Sequence, residues 1–140
     1  MSESIVSNRA PEPVGAFPHA RRVGNLLFLS GIGPRKRNTK AIPGVTFDNA
    51  GNVAEYDIAQ QALSVFENVR TVLEDAGATW NNIVDVTVFL TDMTRDFATF
   101  NKLYADHFAG PDRPNPTRTT IEVGALPTPI AVELKVIAAL

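Results

Sequence analysis

Cysteine is absent from this chain of 140 residues, which removes disulfides, thiolate metal sites and cysteine nucleophiles from consideration. Histidine is scarce. His19 and His107 stand far apart, and no His/Asp/Glu spacing resembles a zinc or iron set, so no metal is expected. No apolar run approaches the ~18 residues of a membrane helix. The opening stretch MSESIVSNRAPEP lacks the charged-then-apolar order of a secretion signal, so a cytoplasmic protein without membrane contact is expected. No block of Lys and Arg is interleaved with aromatics, and the net charge is −2 at pH 7, which argues against nucleic acid as a partner. Internal repeats and low-complexity tracts are missing as well.

What is present fits one domain over residues 1–140. Hydrophobic residues make up 44% and charged residues 20%, ordinary values for one core. Residues 1–15, polar and carrying Pro11 and Pro13, read as an irregular N-terminal arm. Leu26 to Ser30 is a short apolar run between Gly24-Asn25 and Gly31, which is strand punctuation. Residues 32–52 read as a long basic loop, with Arg35, Lys36, Arg37 and Lys40 in it, and loops of that length tend to be functional.

Helical spacing of Ile58, Ala62, Phe66, Val69, Leu73 and Ala76 predicts a helix opened by Asp57 and stopped by Gly77. The run from Ile83 to Leu90 alternates as a strand, with Val84, Val86, Val88 and Leu90 on one face. Thr94 is expected to open a second helix lined by Phe97, Phe100, Tyr104 and Phe108 and ended by Gly110. Two more strands, near 117–123 and 131–138, complete a ββ-α-β-α-ββ order: an α+β domain with a mixed sheet and both helices on one face. Ile121, Val123, Val132, Leu134 and Val136 are expected to face the helices. The opposite face then carries Arg118, Thr120, Glu122, Glu133 and Lys135 beside Phe89. A face so mixed suggests burial against another subunit.

Several stretches, in order and across nearly the whole chain, resemble the Rid (YjgF) family. They are GNLLFLSG at 24–31, FENVRTVLEDAGA at 66–78, VDVTVFLTDM at 84–93, DFATFNKLYADHF at 96–108, PTRTTIEVGALP at 116–127 and AVELKVIAA at 131–139. The resemblance implies a chorismate-mutase-like fold, a homotrimer with active sites between subunits, and hydrolysis of small imine or enamine carboxylates to ammonia without a cofactor. The stretch SGIGPRKRNTKAIPGV at 30–45 departs from the family's common SGQIP pattern and looks like the 2-aminomuconate deaminases of aromatic degradation. Their substrate is a dicarboxylate, hydrolysed to 2-oxohex-3-enedioate (4-oxalocrotonate) and ammonia. The alternatives are a broad-specificity 2-iminobutanoate/2-iminopropanoate deaminase and a non-enzymatic module that binds small carboxylates. A ribonuclease role, claimed for some relatives, finds no basic aromatic surface and no histidine pair here.

The resemblance assigns the catalytic positions. Arg118 falls where the family binds a carboxylate, and a guanidinium can grip one through two parallel hydrogen bonds; the bland reading is a strand-end ion pair. Glu133 falls on the water-positioning glutamate, where partial burial raises a carboxyl pKa; the bland reading is an inter-subunit ion pair with Lys135 or Arg118. Thr120 replaces the family's frequent Cys, so a thiol is not required. Phe17 replaces a frequent Tyr and can still wall a cleft against a conjugated diene. Ser30, Gly31 and Asn101 match substrate-lining positions. His19 is a proton-relay candidate, with a core histidine as the plainer alternative. From the basic loop, Arg35 and Arg37 lead the cations expected to meet a second carboxylate, against the alternative of a solvated face.

Overall fold

Asp57 opens the first helix as expected: its side chain accepts hydrogen bonds from the N–H groups of Ala59 and Gln60, a cap worth about 1 kcal/mol. In the computed structural model, which describes residues 2–140, eight strands and two helices follow one another along the chain. Strands β1 (Ser2–Ile5), β2 (Ala20–Val23), β3 (Leu26–Leu29), β4 (Val45–Phe47) and β5 (Val53–Tyr56) come first. Helix α1 (Ile58–Asp75), β6 (Ile83–Leu90), helix α2 (Met93–Phe108), β7 (Thr117–Glu122) and β8 (Val132–Ala139) come after.

Six strands form one sheet in the order β1-β2-β3-β8-β6-β7, parallel only between β6 and β7. This is the mixed-sheet α+β architecture expected, with α1 and α2 packed on one face. The apolar stripe of α1, including Val65, Phe66, Val69 and Leu73, joins Phe100 and Phe108 of α2 and Val86, Val88, Leu134 and Val136 of the sheet in one core cluster. Burial of these side chains supplies the main stabilisation, at roughly 1.5–3 kcal/mol each.

Several expectations need correction. The N-terminal arm is not irregular throughout: Ser2–Ile5 pairs with β2 as the sheet's first edge strand. The loop at 32–52 contains β4, which pairs with β5 in a separate hairpin. That hairpin is fastened to α2, where Tyr56 donates to Asp96 Oδ2 at 2.6 Å and Arg95 donates to the Tyr56 carbonyl at 2.6 Å. Asp92, not Thr94, caps α2 by accepting from the Arg95 N–H. Val84 faces outward, 44% exposed, because a register shift between Ile83 and Asp85 turns Ile83 inward instead.

The largest correction concerns β7. Its parallel register sets Arg118 beside Val86 and Thr120 beside Val88, and residues directly opposite share a face. Val86 and Val88 are buried under the helices, so Arg118 and Thr120 point to the helix side as well. Ile121 points the other way and is 40% exposed. Hydrophobicity misassigned this strand because an edge strand beside a helix flank can carry polar groups inward. Glu133 pairs with Phe89 and Lys135 with Thr87, so those four occupy the open face as expected.

Candidate functional site

Two clusters carry the residues singled out from the sequence. The first lies on the helix side of β7. The parallel register there carries Arg118 toward α2, where Asn101 follows Phe97 by one turn. Arg118 Nε donates to Thr120 Oγ1 at 2.7 Å, and Nη2 donates to Asn101 Oδ1 at 2.6 Å. Its guanidinium carbon lies 4.5 Å from the Tyr104 ring centre, 5.5 Å from that of Phe100 and 5.8 Å from that of Phe97. Among the described residues no carboxylate pairs with Arg118. Burial without a counter-ion pulls its pKa below the ordinary arginine value. A guanidinium has five N–H donors, so three remain available, including both on Nη1. A half-buried cation held only by neutral partners is left without charge compensation.

The second cluster opens on the other side of the sheet, at the end of β3. Ile32 and Leu134 exchange backbone hydrogen bonds of 2.9 and 3.0 Å, which brings Gly31 alongside Glu133. A Cβ at Gly31 would sit 2.2 Å from Glu133 Oε1, so glycine lets the carboxyl group lie where it does and any other residue would displace it. Glu133 is half-buried and has no hydrogen bond or ion pair from a described side chain; desolvation pushes its pKa up. Lys135, two residues on, donates to the Leu29 carbonyl instead. The cleft over Glu133 is walled by Phe17, Ser30, Gly31, Arg35, Thr128 and Ile130.

Proline-rich residues 10–14 form the remaining wall, and they are latched from behind. Arg37, expected to meet substrate, donates instead to the carbonyls of Ala10 at 2.7 Å and Ser7 at 3.3 Å. Its guanidinium also lies 3.6 Å from the Glu12 carboxylate. Lys36 sits 3.6 Å from Glu67 on α1, and Lys40 is exposed at the loop tip. Arg35 alone of the four lines the cleft, with one donor on the Glu12 carbonyl at 2.6 Å.

His19 lines the cleft too, but it is the plainer histidine. Its Nδ1 accepts from the Ser7 N–H at 3.0 Å, and its Nε2 lies 2.8 Å from the Pro11 carbonyl. With both nitrogens engaged in holding the arm, it has no free position for relaying protons. The Ser30 hydroxyl likewise donates to the Pro18 carbonyl at 2.7 Å, which fixes the strand end.

Thus the structure unites Arg118, Thr120 and Asn101 in one cluster and Glu133, Gly31, Ser30, Phe17, His19 and Arg35 in another. It keeps Arg37 out of both. Tyr104, Thr128 and the arm from Ala10 to Val14 carried no site assignment in the sequence. Only the paired Pro11 and Pro13, which stiffen the arm, hinted at a wall.

The α+β domain thus carries an aromatic-backed arginine and a carboxylate over a glycine, neither in an ion pair among the described residues. The chain belongs to the family described as Endoribonuclease L-PSP, whose model matches residues 7–140. It is 35% identical over 136 residues to a RutC family protein of Pyrococcus abyssi, covering 97% of this chain and 95% of that protein. It is 32% identical over 138 residues to the 2-iminobutanoate/2-iminopropanoate deaminase of Escherichia coli K12, covering 99% and 98%. Among solved structures, a Rid family protein of Yersinia pestis superposes with a TM-score of 0.81 at 31% identity over 100% of both chains. E. coli TdcF with bound serine superposes with a TM-score of 0.78 at 30% identity, over 99% of this chain and 98% of the other.

Proposed function

We propose that this protein is a cofactor-independent deaminase of short 2-imino acids, R–C(=NH)–COO⁻ + H₂O → R–C(=O)–COO⁻ + NH₃. The observation that carries this reading is Arg118: a half-buried guanidinium with neutral partners and three unused N–H donors. It would hold the carboxylate next to the imine carbon. Glu133, deprived of partners and raised in pKa, would orient a water for addition and return a proton to the departing nitrogen. The E. coli relative bears the name of this activity. The endoribonuclease label of the family finds no histidine pair here, since His19 is engaged at both nitrogens and the His107 Nδ1 faces the Leu103 carbonyl.

Within one chain the sheet separates Arg118 from Glu133, because the two project from opposite faces. A shared site therefore takes two copies, with Arg118 of one opposite Glu133 of the next. Closed rotational symmetry satisfies every such pair at once, and a homotrimer is the assembly proposed. Sedimentation should give about three times the 15.2 kDa chain mass.

The loop at 30–45 supports a second, finer reading, a dicarboxylate such as 2-aminomuconate. The named relative favours the short imines over it. Its specific support is Arg35, the one loop cation in the Glu133 cleft. The deciding assay follows ammonia release from enzymatically generated 2-iminobutanoate and 2-aminomuconate side by side. Turnover of the first alone supports the short-chain reading, and turnover of the second supports the dicarboxylate. Turnover of neither sinks both and leaves a binding module.

A further inference from the structure

We propose that Tyr104 is the positioning residue of the Arg118 anchor, a platform whose ring, not its hydroxyl, sets the plane in which a carboxylate is received. The inference rests on Arg118 being that anchor.

Three layers stand on one another at this corner. The Phe108 ring is stacked on the Tyr104 ring at 4.1 Å between centres and 9° between planes. The Arg118 guanidinium carbon lies 4.5 Å from the centre of the same Tyr104 ring. Phe108 is fully buried in the core, so the stack is founded on the rigid part of the domain. An arginine so placed is restrained from two directions: the ring limits tilt, and the bonds to Thr120 and Asn101 limit rotation within the plane. That leaves both N–H groups of Nη1 at a fixed bearing. Two parallel hydrogen bonds to a carboxylate need such a bearing, since they fail together when the fork tilts. Aromatic faces also attract the guanidinium charge without neutralising it. A carboxylate at Phe or Tyr positions would hold Arg118 as firmly but would compete with substrate.

The phenol oxygen is otherwise unexplained. Tyr104 is 7% exposed, and its hydroxyl has no partner among the described residues. Burial pushes the phenol up to about 12, so it holds its proton throughout the working range. The ring is the part that makes the contacts.

The test replaces Tyr104 by Phe, Leu and Met in the full-length protein. KM and kcat for 2-iminobutanoate, calorimetric Kd for the product 2-oxobutanoate, and thermal stability are measured for each. Tyr104→Leu should raise KM and Kd together by about threefold to thirtyfold, the range of one such cation–ring contact, with kcat nearly held. Tyr104→Phe should return KM and Kd to near wild type. Tyr104→Met keeps more volume in the core and supplies the same reading if the Leu variant does not fold. A folded Leu or Met variant that binds 2-oxobutanoate as wild type does overturns the platform. So does a Phe variant damaged as much as Leu, which would move the role to the hydroxyl. If wild type itself neither binds 2-oxobutanoate nor turns over imine, the anchor reading fails first and takes this inference with it. A purely packing role would lower stability and active fraction while leaving KM and Kd where they were.

Discussion

The corner around Arg118 and the cleft around Glu133 are built on opposite plans. The arginine is held: two hydrogen bonds fix its edge, aromatic rings fix its face, and every contributor comes from β7 or α2. The glutamate is merely given room, over a glycine, with no side-chain partner among the described residues and a wall made of loop and N-terminal arm. An anchor for a charge that does not change can be rigid and pre-formed. A group that must lose and regain a proton gains from having no fixed partner, because any tight ion pair would lock its protonation state. Under the proposed function, the contrast teaches that binding and proton handling are separated between two faces of one sheet.

The strongest way to break that comparison is to split the two across subunits. Arg118→Ala should lower kcat/KM by about a hundredfold or more, and Glu133→Gln should lower kcat severely with little loss of carboxylate binding. Mixing the two inactive variants under conditions of subunit exchange should then restore activity at roughly a quarter of the sites, those pairing an intact arginine with an intact glutamate. No recovery in a mixture shown by mass spectrometry to have exchanged would place both functions within one chain.

Next in size is Gly31→Ala. The added methyl must push the Glu133 carboxyl aside, and a displacement of about 1 Å in a catalytic group can cost up to ~100-fold in rate. The loss should appear in kcat, with 2-oxobutanoate binding less affected. Unchanged kcat would remove Glu133 from the chemistry.

A smaller effect concerns pH. Desolvation raises the Glu133 pKa, so on acidification the carboxylate is protonated earlier than an ordinary glutamate, about 4.3. The acid limb of kcat/KM should therefore lie above that value, with activity lost as pH falls through it. Glu133→Gln should abolish the limb in whatever activity remains; a limb that persists belongs to another group. Smallest is Arg35→Gln, which should raise KM for 2-aminomuconate by about tenfold, the loss of one charged hydrogen bond. KM for 2-iminobutanoate should stay nearly unchanged, and an equal rise for both would make Arg35 a support of the arm.

Regular, strongly patterned elements were legible in the sequence. The α1 stripe, its Asp57 cap and its Gly77 stop are local signals, and the structure repeats them, with Gly77 at φ 81°. The cluster of Arg118, Thr120 and Asn101 was named from family-like stretches, yet its direction was not legible. Facing on β7 depends on parallel pairing with β6 across the intervening helix, which no local pattern encodes. The fate of the loop cations was hidden for a similar reason. Arg37 and Lys36 are engaged by carbonyls and carboxylates remote in sequence, whereas a charge run read alone looks free. Ser2–Ile5 escaped notice because a four-residue polar edge strand is defined by its neighbour, β2.

The place of β8 has a consequence for how the protein is made. It comes last in chain order among the strands of this sheet, yet it lies between β3 and β6 in its middle. Until residues 132–139 leave the ribosome, β3 and β6 are both raw edges, and the two halves of the sheet have nothing between them. The sheet can close only once this strand has emerged, and until then the nascent chain carries unpaired edges of the kind chaperones cover. The same late strand brings Glu133, so a product cut short before residue 132 lacks the proposed acid–base group along with the strand that closes the fold.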